Sequence, residues 1–135
     1  FGQANVVKDG NDLTIVTWGM MVYKCLEAAK TVSSSTGVSI EIIDLRTLNP
    51  IDMQTVQASI EKTNKLMVVH EDNLTNGPGA EISAIIADEF FELLDGPIRR
   101  VASKDSHIGF SPIIEDVILP QIEEIVQTAQ ELLEY

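Results

Sequence analysis

The sequence is poor in cysteine, in basic residues and in long apolar runs, and each shortage excludes a class of protein. A single cysteine, Cys25, excludes an internal disulfide and is typical of a reducing compartment. Lysine and arginine total 9 against 21 acidic residues, and the net charge of −12 repels nucleic acid and anionic membranes. No apolar run approaches the ~20 residues of a membrane span, and no charged-then-apolar signal opens the chain. A basic protein partner suits this composition better.

Histidine is also scarce, which limits the chemistry. The two histidines are His70 and His107, and no cysteine or second histidine lies at metal-ligand spacing from His107, so we expect no zinc site. Ser83 and Cys25 fall within helical patterns rather than in a nucleophile elbow. Cys25 also belongs to an apolar stripe, which predicts a core position.

The chain contains enough apolar sequence for one domain. At 135 residues, 44% of them hydrophobic, it is long enough for a single core and too short for two. It starts at Phe1 rather than at a methionine, which suggests a piece of a longer protein. We therefore expect residues 1–135 to form one domain of a larger chain.

The pattern of secondary structure is organised around one buried strand. Leu66 to Val69 is an unbroken apolar run that turns polar at His70 and meets a glycine-rich turn, which is typical of a central strand in a parallel sheet. Similar β-rich runs alternate with helical stripes along the rest of the chain. The predicted strands cover residues 4–8, 13–18, 38–45, 66–69 and 98–102.

Helices are predicted between these strands and at the carboxyl end. The first ends at Gly37, the second is capped by Asp52, the third follows the glycine-rich turn, and the last has Pro120 in its first turn. Lys104 to Ser111 shows no periodicity and is predicted to be an exposed loop. Strands alternating with helices predict a three-layer α/β/α sandwich with a mostly parallel sheet.

His70-Glu71-Asp72 is the group with the most potential for acid–base chemistry, and it has two interpretations. A histidine beside carboxylates at a strand end can exchange protons near neutral pH. Alternatively, His70 is packed and hydrogen-bonded while the acids cap the loop. Spacing alone does not make a site, so we favour the structural interpretation and assign no catalytic residue.

Gly77-Pro78-Gly79 is similar in part to a dinucleotide-binding fingerprint. Ile82 stands where that fingerprint has its third glycine, and Pro78 removes an N–H group that would hold a phosphate. A helix start is the better interpretation, and no cofactor-binding residue is expected here.

Four segments resemble the carboxyl-terminal domain shared by transketolase-like thiamine enzymes. They are Asp12 to Gly19, Ile43 to Pro50, Val69 to Asp72, and Gly77 to Ile82. The resemblance is strongest to the β subunit of the decarboxylating component of 2-oxo acid dehydrogenases, of the pyruvate, branched-chain or acetoin type. It runs from about Gly2 to Tyr135.

This resemblance implies a fold, and it implies that the cofactor is bound by other domains of the enzyme. It implies a five-stranded mixed sheet in the order 1-3-2-4-5 with strand 1 antiparallel. A crevice then opens where two adjacent strands end, and its candidate residues are Trp18, Gly19, His70, Glu71 and Asp72. In such enzymes thiamine diphosphate and magnesium lie between two other domains, neither of which is in this chain. The chain alone is therefore expected to bind neither and to be inactive.

The resemblance also implies partners. Relatives assemble with an α subunit, or a fused α part, and with a second β copy, and they dock the basic subunit-binding domain of an acyltransferase. In bacterial pyruvate dehydrogenase relatives, an acidic residue in the turn that matches Asp95 and a terminal aromatic residue with its free carboxylate, which matches Tyr135, hold the basic side chains. Arg99 departs from this pattern, since relatives can carry a second acid there. The implied compartment is the cytoplasm, or the mitochondrial matrix in a eukaryote.

A rival interpretation from another class is a free-standing α/β module that binds a small anion in the crevice. The amino termini of the helices after Gly19 and Gly79 would supply its hydrogen-bond donors. The sequence leaves this alternative open.

Overall fold

The computed structural model describes residues 1–135, in which strands and helices alternate. The strands are β1 (Asn5–Lys8), β2 (Leu13–Thr17), β3 (Ile40–Asp44), β4 (Leu66–Asn73) and β5 (Arg99–Ser103). The helices are α1 (Met21–Thr36), α2 (Met53–Thr63), α3 (Pro78–Glu89), α4 (Pro112–Ile118) and α5 (Ile122–Leu133), with a 3-10 turn at Phe91–Leu93. None of the helices combines the length and the apolar character that crossing a bilayer requires.

The strands form one mixed sheet in the order β1-β3-β2-β4-β5. β1 runs antiparallel to β3, and the other neighbouring pairs are parallel. The predicted fold class, strand order and direction of the first strand are all confirmed.

Two apolar clusters, one on each face of the sheet, hold the three layers together. One joins the sheet to α1 and α5 through side chains such as Ile15, Cys25 and Ile125. The other joins it to α2 and α3 through Val16, Ile60 and Ile82. Successive residues of β2 therefore point to opposite layers, and all five of its residues are buried.

The helix ends follow the predicted local chemistry. Gly37 closes α1 in the left-handed region at φ 76°, where a residue without a Cβ is favoured. Asp52 caps α2, and its carboxylate accepts a hydrogen bond from the Thr55 N–H at 3.1 Å. Cys25 is completely buried, as predicted, and burial raises the pKa of its thiol to about 12.

Two differences from the sequence-based expectation are larger, while the ends of the other four strands agree to within two residues. β4 continues through His70, Glu71 and Asp72 to Asn73, where pairing with Ser103 of β5 resumes after an irregularity that follows Val69, so the expected polar loop is the end of a strand. The Ser103 hydroxyl also donates to the Glu71 carbonyl. Helix α5 begins at Ile122, so Pro120 does not lie in its first turn. The Pro120 carbonyl instead accepts a hydrogen bond from the Lys24 side chain at 2.8 Å.

Helix α4 is absent from the predicted pattern, although Lys104 to Ser111 is the expected exposed loop. α4 has seven residues, and only Ile118 among them is buried. Its apolar residues Ile113 and Val117 face solvent, 78% and 59% exposed. A helix without a buried stripe gives no amphipathic signal that points towards the core.

A buried ion pair fastens the amino-terminal edge of the sheet to α2. The Glu41 side chain, 3% exposed, pairs with Lys62 and accepts a hydrogen bond from the Gly10 N–H at 3.3 Å. Burial alone would raise the pKa of Glu41, but the hydrogen bonds from Lys62 and Gly10 and the lysine charge hold it below its ordinary value of 4.5.

We expect Lys62→Ala to lower the free energy of unfolding by about 1–2 kcal/mol at pH 7, because it leaves a buried carboxylate without its cation. The Lys62 side chain is itself 41% exposed, which keeps the loss below that of a fully buried pair. Urea denaturation measures it, with Lys30→Ala on the exposed side of α1 as the control. Because the pKa of Glu41 is depressed in the fold, the difference should shrink as the pH falls below 4.5. A loss equal to that of the control would contradict this account.

Candidate functional site

The candidate site lies at the carboxyl edge of the sheet, between β2 and β4. From β2 the chain leaves to α1 on one face, and from β4 it leaves to α3 on the other. Such a switch point is where open α/β sheets form a ligand crevice. Trp18 follows β2 directly and His70 lies within β4, so the structure brings together two of the predicted crevice residues.

Trp18 and His70 close this crevice by stacking on each other. Their ring centroids are 5.1 Å apart and the ring planes differ by 7°. His70 is completely buried and Trp18 is half-buried. None of the five surface cavities of the chain is lined by either ring. Aromatic side chains therefore occupy the place that a ligand would take.

His70 is packed, as the structural interpretation predicted, but it is not hydrogen-bonded. Neither ring nitrogen has a hydrogen-bond partner in the chain. Burial lowers the pKa of His70 below its ordinary value of 6.5; the Asp72 carboxylate and the Asp72 backbone oppose this shift, and Arg100 adds to it. A neutral, inaccessible imidazole cannot exchange protons with a ligand in this conformation.

The two acids after His70 do not form a catalytic group with it. Glu71 is half-buried, and Asp72 is exposed. The Asp72 carboxylate accepts a hydrogen bond from the Asn73 N–H at 2.7 Å, which agrees in part with the predicted capping role. Gly19, the fifth predicted crevice residue, is exposed at φ 62° and links β2 to α1.

The glycines of Gly77-Pro78-Gly79 serve packing against His70. A Cβ at Gly79 would lie 2.2 Å from Nε2 of His70, and a Cβ at Gly77 would lie 2.0 Å from the Asn73 carbonyl oxygen. α3 begins at Pro78, so the predicted helix start is confirmed. The close approach of the Asn73 carbonyl and of the His70 ring explains why positions 77 and 79 are glycines.

The rival anion-binding interpretation finds little support in this geometry. The first turn of α3 is pressed against His70, and Glu81 adds a negative charge to it. A cavity of about 480 Å³ adjoins Gly19 at the start of α1, but Asp44 also lines it. The Arg46 guanidinium there already donates to the carbonyls of Gln3 and Ala4, at 3.1 and 3.3 Å.

The residues present also do not fit magnesium diphosphate. No three His, Cys, Asp or Glu side chains stand close enough together to hold a metal ion. The crevice at the switch point is filled by Trp18 and His70. No step of thiamine chemistry is therefore assigned to residues of this chain.

The two predicted docking residues, 40 positions apart in sequence, belong to one surface. A Cβ at Gly96 would lie 3.2 Å from Cβ and 3.3 Å from Cγ of Tyr135, so the turn that carries Asp95 packs against the last residue of the chain. Asp95 is exposed, and its N–H donates to the Asn64 carbonyl at 2.8 Å. Tyr135 is 64% exposed.

A second exposed surface was only partly anticipated. Ile108 and Phe110 are 51% and 107% exposed in the predicted loop, and Ile113 and Val117 of the following helix α4 are exposed as well; these four side chains are called the apolar patch. Neither Ile108 nor Phe110 is buried against the sheet. The run Ile113-Ile114 followed by Val117 was the available sequence signal, since it is apolar without matching a core stripe.

Together, the sheet order and the switch-point geometry define an α/β domain of the transketolase carboxyl-terminal type. The family model described as the transketolase C-terminal domain matches residues 2–125. The chain belongs to this family. A split-gene transketolase, solved as an inactive β4 tetramer, superposes with a TM-score of 0.83 at 26% identity, covering 98% of this chain and 42% of that one.

Curated relatives agree with this assignment. The chain is 42% identical over 134 residues to the pyruvate dehydrogenase E1 component subunit beta of Staphylococcus epidermidis, covering 99% of this chain and 41% of that protein. It is 41% identical over 133 residues to the acetoin:2,6-dichlorophenolindophenol oxidoreductase subunit beta of Cupriavidus necator, covering 98% and 39%. The chain thus spans about two fifths of the length of these relatives.

We expect Gly79→Ala to destabilise the chain by about 1–3 kcal/mol, because its Cβ would collide with His70. Helix propensity alone favours alanine, so the collision decides the sign. Thermal unfolding followed by circular dichroism measures the change, and Ala87→Ser on the exposed side of α3 is the control. The same substitution in a His70→Ala background should cost less. An equal cost in both backgrounds would show that the ring is not the obstacle.

Proposed function

We propose that this chain is the carboxyl-terminal, non-catalytic assembly and docking domain of a thiamine-dependent 2-oxo acid dehydrogenase. The observation that carries the proposal is the identity of 42% over 134 residues with a pyruvate dehydrogenase β subunit, of which this chain covers 41%. Its filled crevice and its lack of a metal-holding cluster are consistent with a domain that takes no part in the reaction, which would occur in other domains of the enzyme.

The whole enzyme would decarboxylate a 2-oxo acid and acylate a lipoyl group, with pyruvate, branched-chain and acetoin-type substrates as the candidates. Thiamine diphosphate and magnesium would be held by the other domains of that enzyme. Its partners would be an α subunit or fused α part, a second β copy, and the acyltransferase. The proposed compartment is the cytoplasm, or the mitochondrial matrix in a eukaryote.

The docking surface is the patch formed by the Asp95 turn and Tyr135. Its support is their direct packing through Gly96, which presents an exposed carboxylate beside an exposed aromatic ring. A basic domain would find both an ion-pair partner and a stacking surface there. The net charge of −12 would draw such a domain from a distance. Arg99, also exposed, would shift its orientation.

We expect Asp95→Ala to weaken binding of the cognate acyltransferase subunit-binding domain about two- to five-fold at low salt. The loss should come mainly from slower association and should shrink at physiological ionic strength, where charges are screened beyond ~8 Å. Surface plasmon resonance over a salt series measures it. Tyr135→Ala should weaken binding with little dependence on salt, because it removes packing rather than charge.

Glu123→Ala is the matched control for this experiment. It removes the same unit charge from the exposed surface near the start of α5, about 15 Å along the helix from its last residue, Leu133, at 1.5 Å per residue. Unchanged binding for both Asp95→Ala and Tyr135→Ala at low salt would place the docking site elsewhere.

A second copy of the chain would pair through the apolar patch of Ile108, Phe110, Ile113 and Val117. Four exposed apolar side chains in one loop and one short helix are unfavourable in water, and pairing would remove them from it. The tetrameric state of the split-gene transketolase is consistent with association through β chains, though it belongs to that protein.

Sedimentation equilibrium of the 135-residue chain should therefore show a concentration-dependent dimer that Phe110→Asp abolishes. Both copies carry a net charge of −12, so added salt should strengthen this association, opposite to its effect on docking. Phe91→Asp is the control, because Phe91 is also exposed, at 73%, but lies outside the patch. A strict monomer at high concentration would contradict self-pairing.

A further inference from the structure

The Trp18–His70 stack combines three features that neither the fold nor the proposed function requires. The imidazole is completely buried, yet both of its nitrogens lack hydrogen-bond partners. One ring face lies against Trp18, with centroids 5.1 Å apart. The ring edge lies against the first turn of α3, where a Cβ at Gly79 would be 2.2 Å from Nε2.

Few charged groups surround this ring. On its own strand Asp72 raises the pKa of His70, and on β5 Arg100 lowers it. The first turn of α3 carries Glu81, whose side chain is exposed. From Leu13 to Tyr23, which includes β2 and the start of α1, there is no charged residue. A protonated His70 would therefore find no buried carboxylate with which to form an ion pair.

We propose that the Trp18–His70 stack is an acid-sensitive closure of the switch-point crevice, and that protonation of His70 separates the rings and releases the first turn of α3 from the sheet. A proton on His70 would place a charge among groups that cannot solvate it. The ring must then reach water. Because Gly79 blocks its edge and Trp18 covers its face, the ring cannot reach water unless one of these contacts opens.

The pH at which the crevice opens follows from the direction of the shift. Burial holds the pKa of His70 below 6.5 in the closed form, and in an open form the ring would return towards that value. The open form therefore binds the proton more tightly, and closure is lost as the pH falls below 6.5. Above that value the imidazole is neutral in both forms and the stack persists.

Trp18 is the only tryptophan, so its fluorescence reports this stack alone. We expect the emission of the 135-residue chain to shift to longer wavelength in a one-proton transition below pH 6.5, as the half-buried indole meets water. Far-UV circular dichroism should remain native through that transition. The hydrogen-exchange protection factor of the Ala80 amide, which donates to the Gly77 carbonyl at 2.9 Å, should fall with the same midpoint once the intrinsic pH dependence of exchange is divided out.

His70→Phe keeps an aromatic ring without a titratable nitrogen and should abolish the transition, and His70→Gln should do so if phenylalanine is too large. His107→Gln, which alters the other histidine in the exposed loop, should leave it unchanged. Asp72→Asn removes the carboxylate that opposes the burial effect, so it should move the midpoint to lower pH.

Two results would overturn the proposal. One is a parent chain whose emission changes only when the far-UV signal is also lost. The other is a midpoint that neither Asp72→Asn nor the His70 variants alter. The Asp72→Asn arm keeps the test decisive even if both His70 variants fail to fold, because Asp72 is exposed. None of these outcomes depends on docking or self-association.

Discussion

The pairing of β2 with β4 is the interaction on which the rest of this structure depends. Both strands are covered on each face, by α1 and α5 on one side and by α2 and α3 on the other. Their parallel register, with Thr14 opposite Leu66 and Thr17 opposite Val69, therefore fixes all three layers together. A slip of one residue would turn every side chain of either strand to the wrong layer.

The same pairing also decides which surfaces remain for function. Because β2 and β4 send their chains to opposite faces, their carboxyl ends define the crevice, and Trp18 and His70 fill it. What remains accessible lies outside the crevice. The Asp95 turn precedes β5 at the amino edge of the parallel strands, while the apolar patch around Phe110 follows β5 at the carboxyl edge. The two proposed contacts thus lie at opposite edges of the sheet.

The sequence predicted the fold well because its strongest signals come from burial. The run Leu66 to Val69 indicated a central strand, and Gly37 and Asp52 indicated helix ends, since each depends on local chemistry. The errors arose where tertiary contacts override that chemistry. β4 continues through polar residues to Asn73, which pairs with Ser103 of β5, and the seven-residue helix α4 gave no core-stripe signal because its apolar side faces outward.

The candidate site was predicted less completely, and for a different reason. Trp18 and His70 were both named, but their stacking depends on the strand order, which was taken from a family resemblance. Alternation in β2 and β4 says only that each side chain points to one face or the other. The contact of Gly96 with Tyr135 joins residues from two separate turns of the fold, and no local pattern encodes it.

The presence of a histidine at position 70, rather than an apolar residue, requires a physical explanation. An apolar ring small enough for this position would also stack on Trp18 and would avoid the cost of burying two unpartnered nitrogens. Packing therefore does not explain the histidine, and hydrogen bonding does not explain it either. The property that distinguishes imidazole from such a ring is that it can take up a proton. Because residues 77 and 79 are glycines, the backbone at the start of α3 lies against the ring, so a positive charge on the ring would act directly on that backbone.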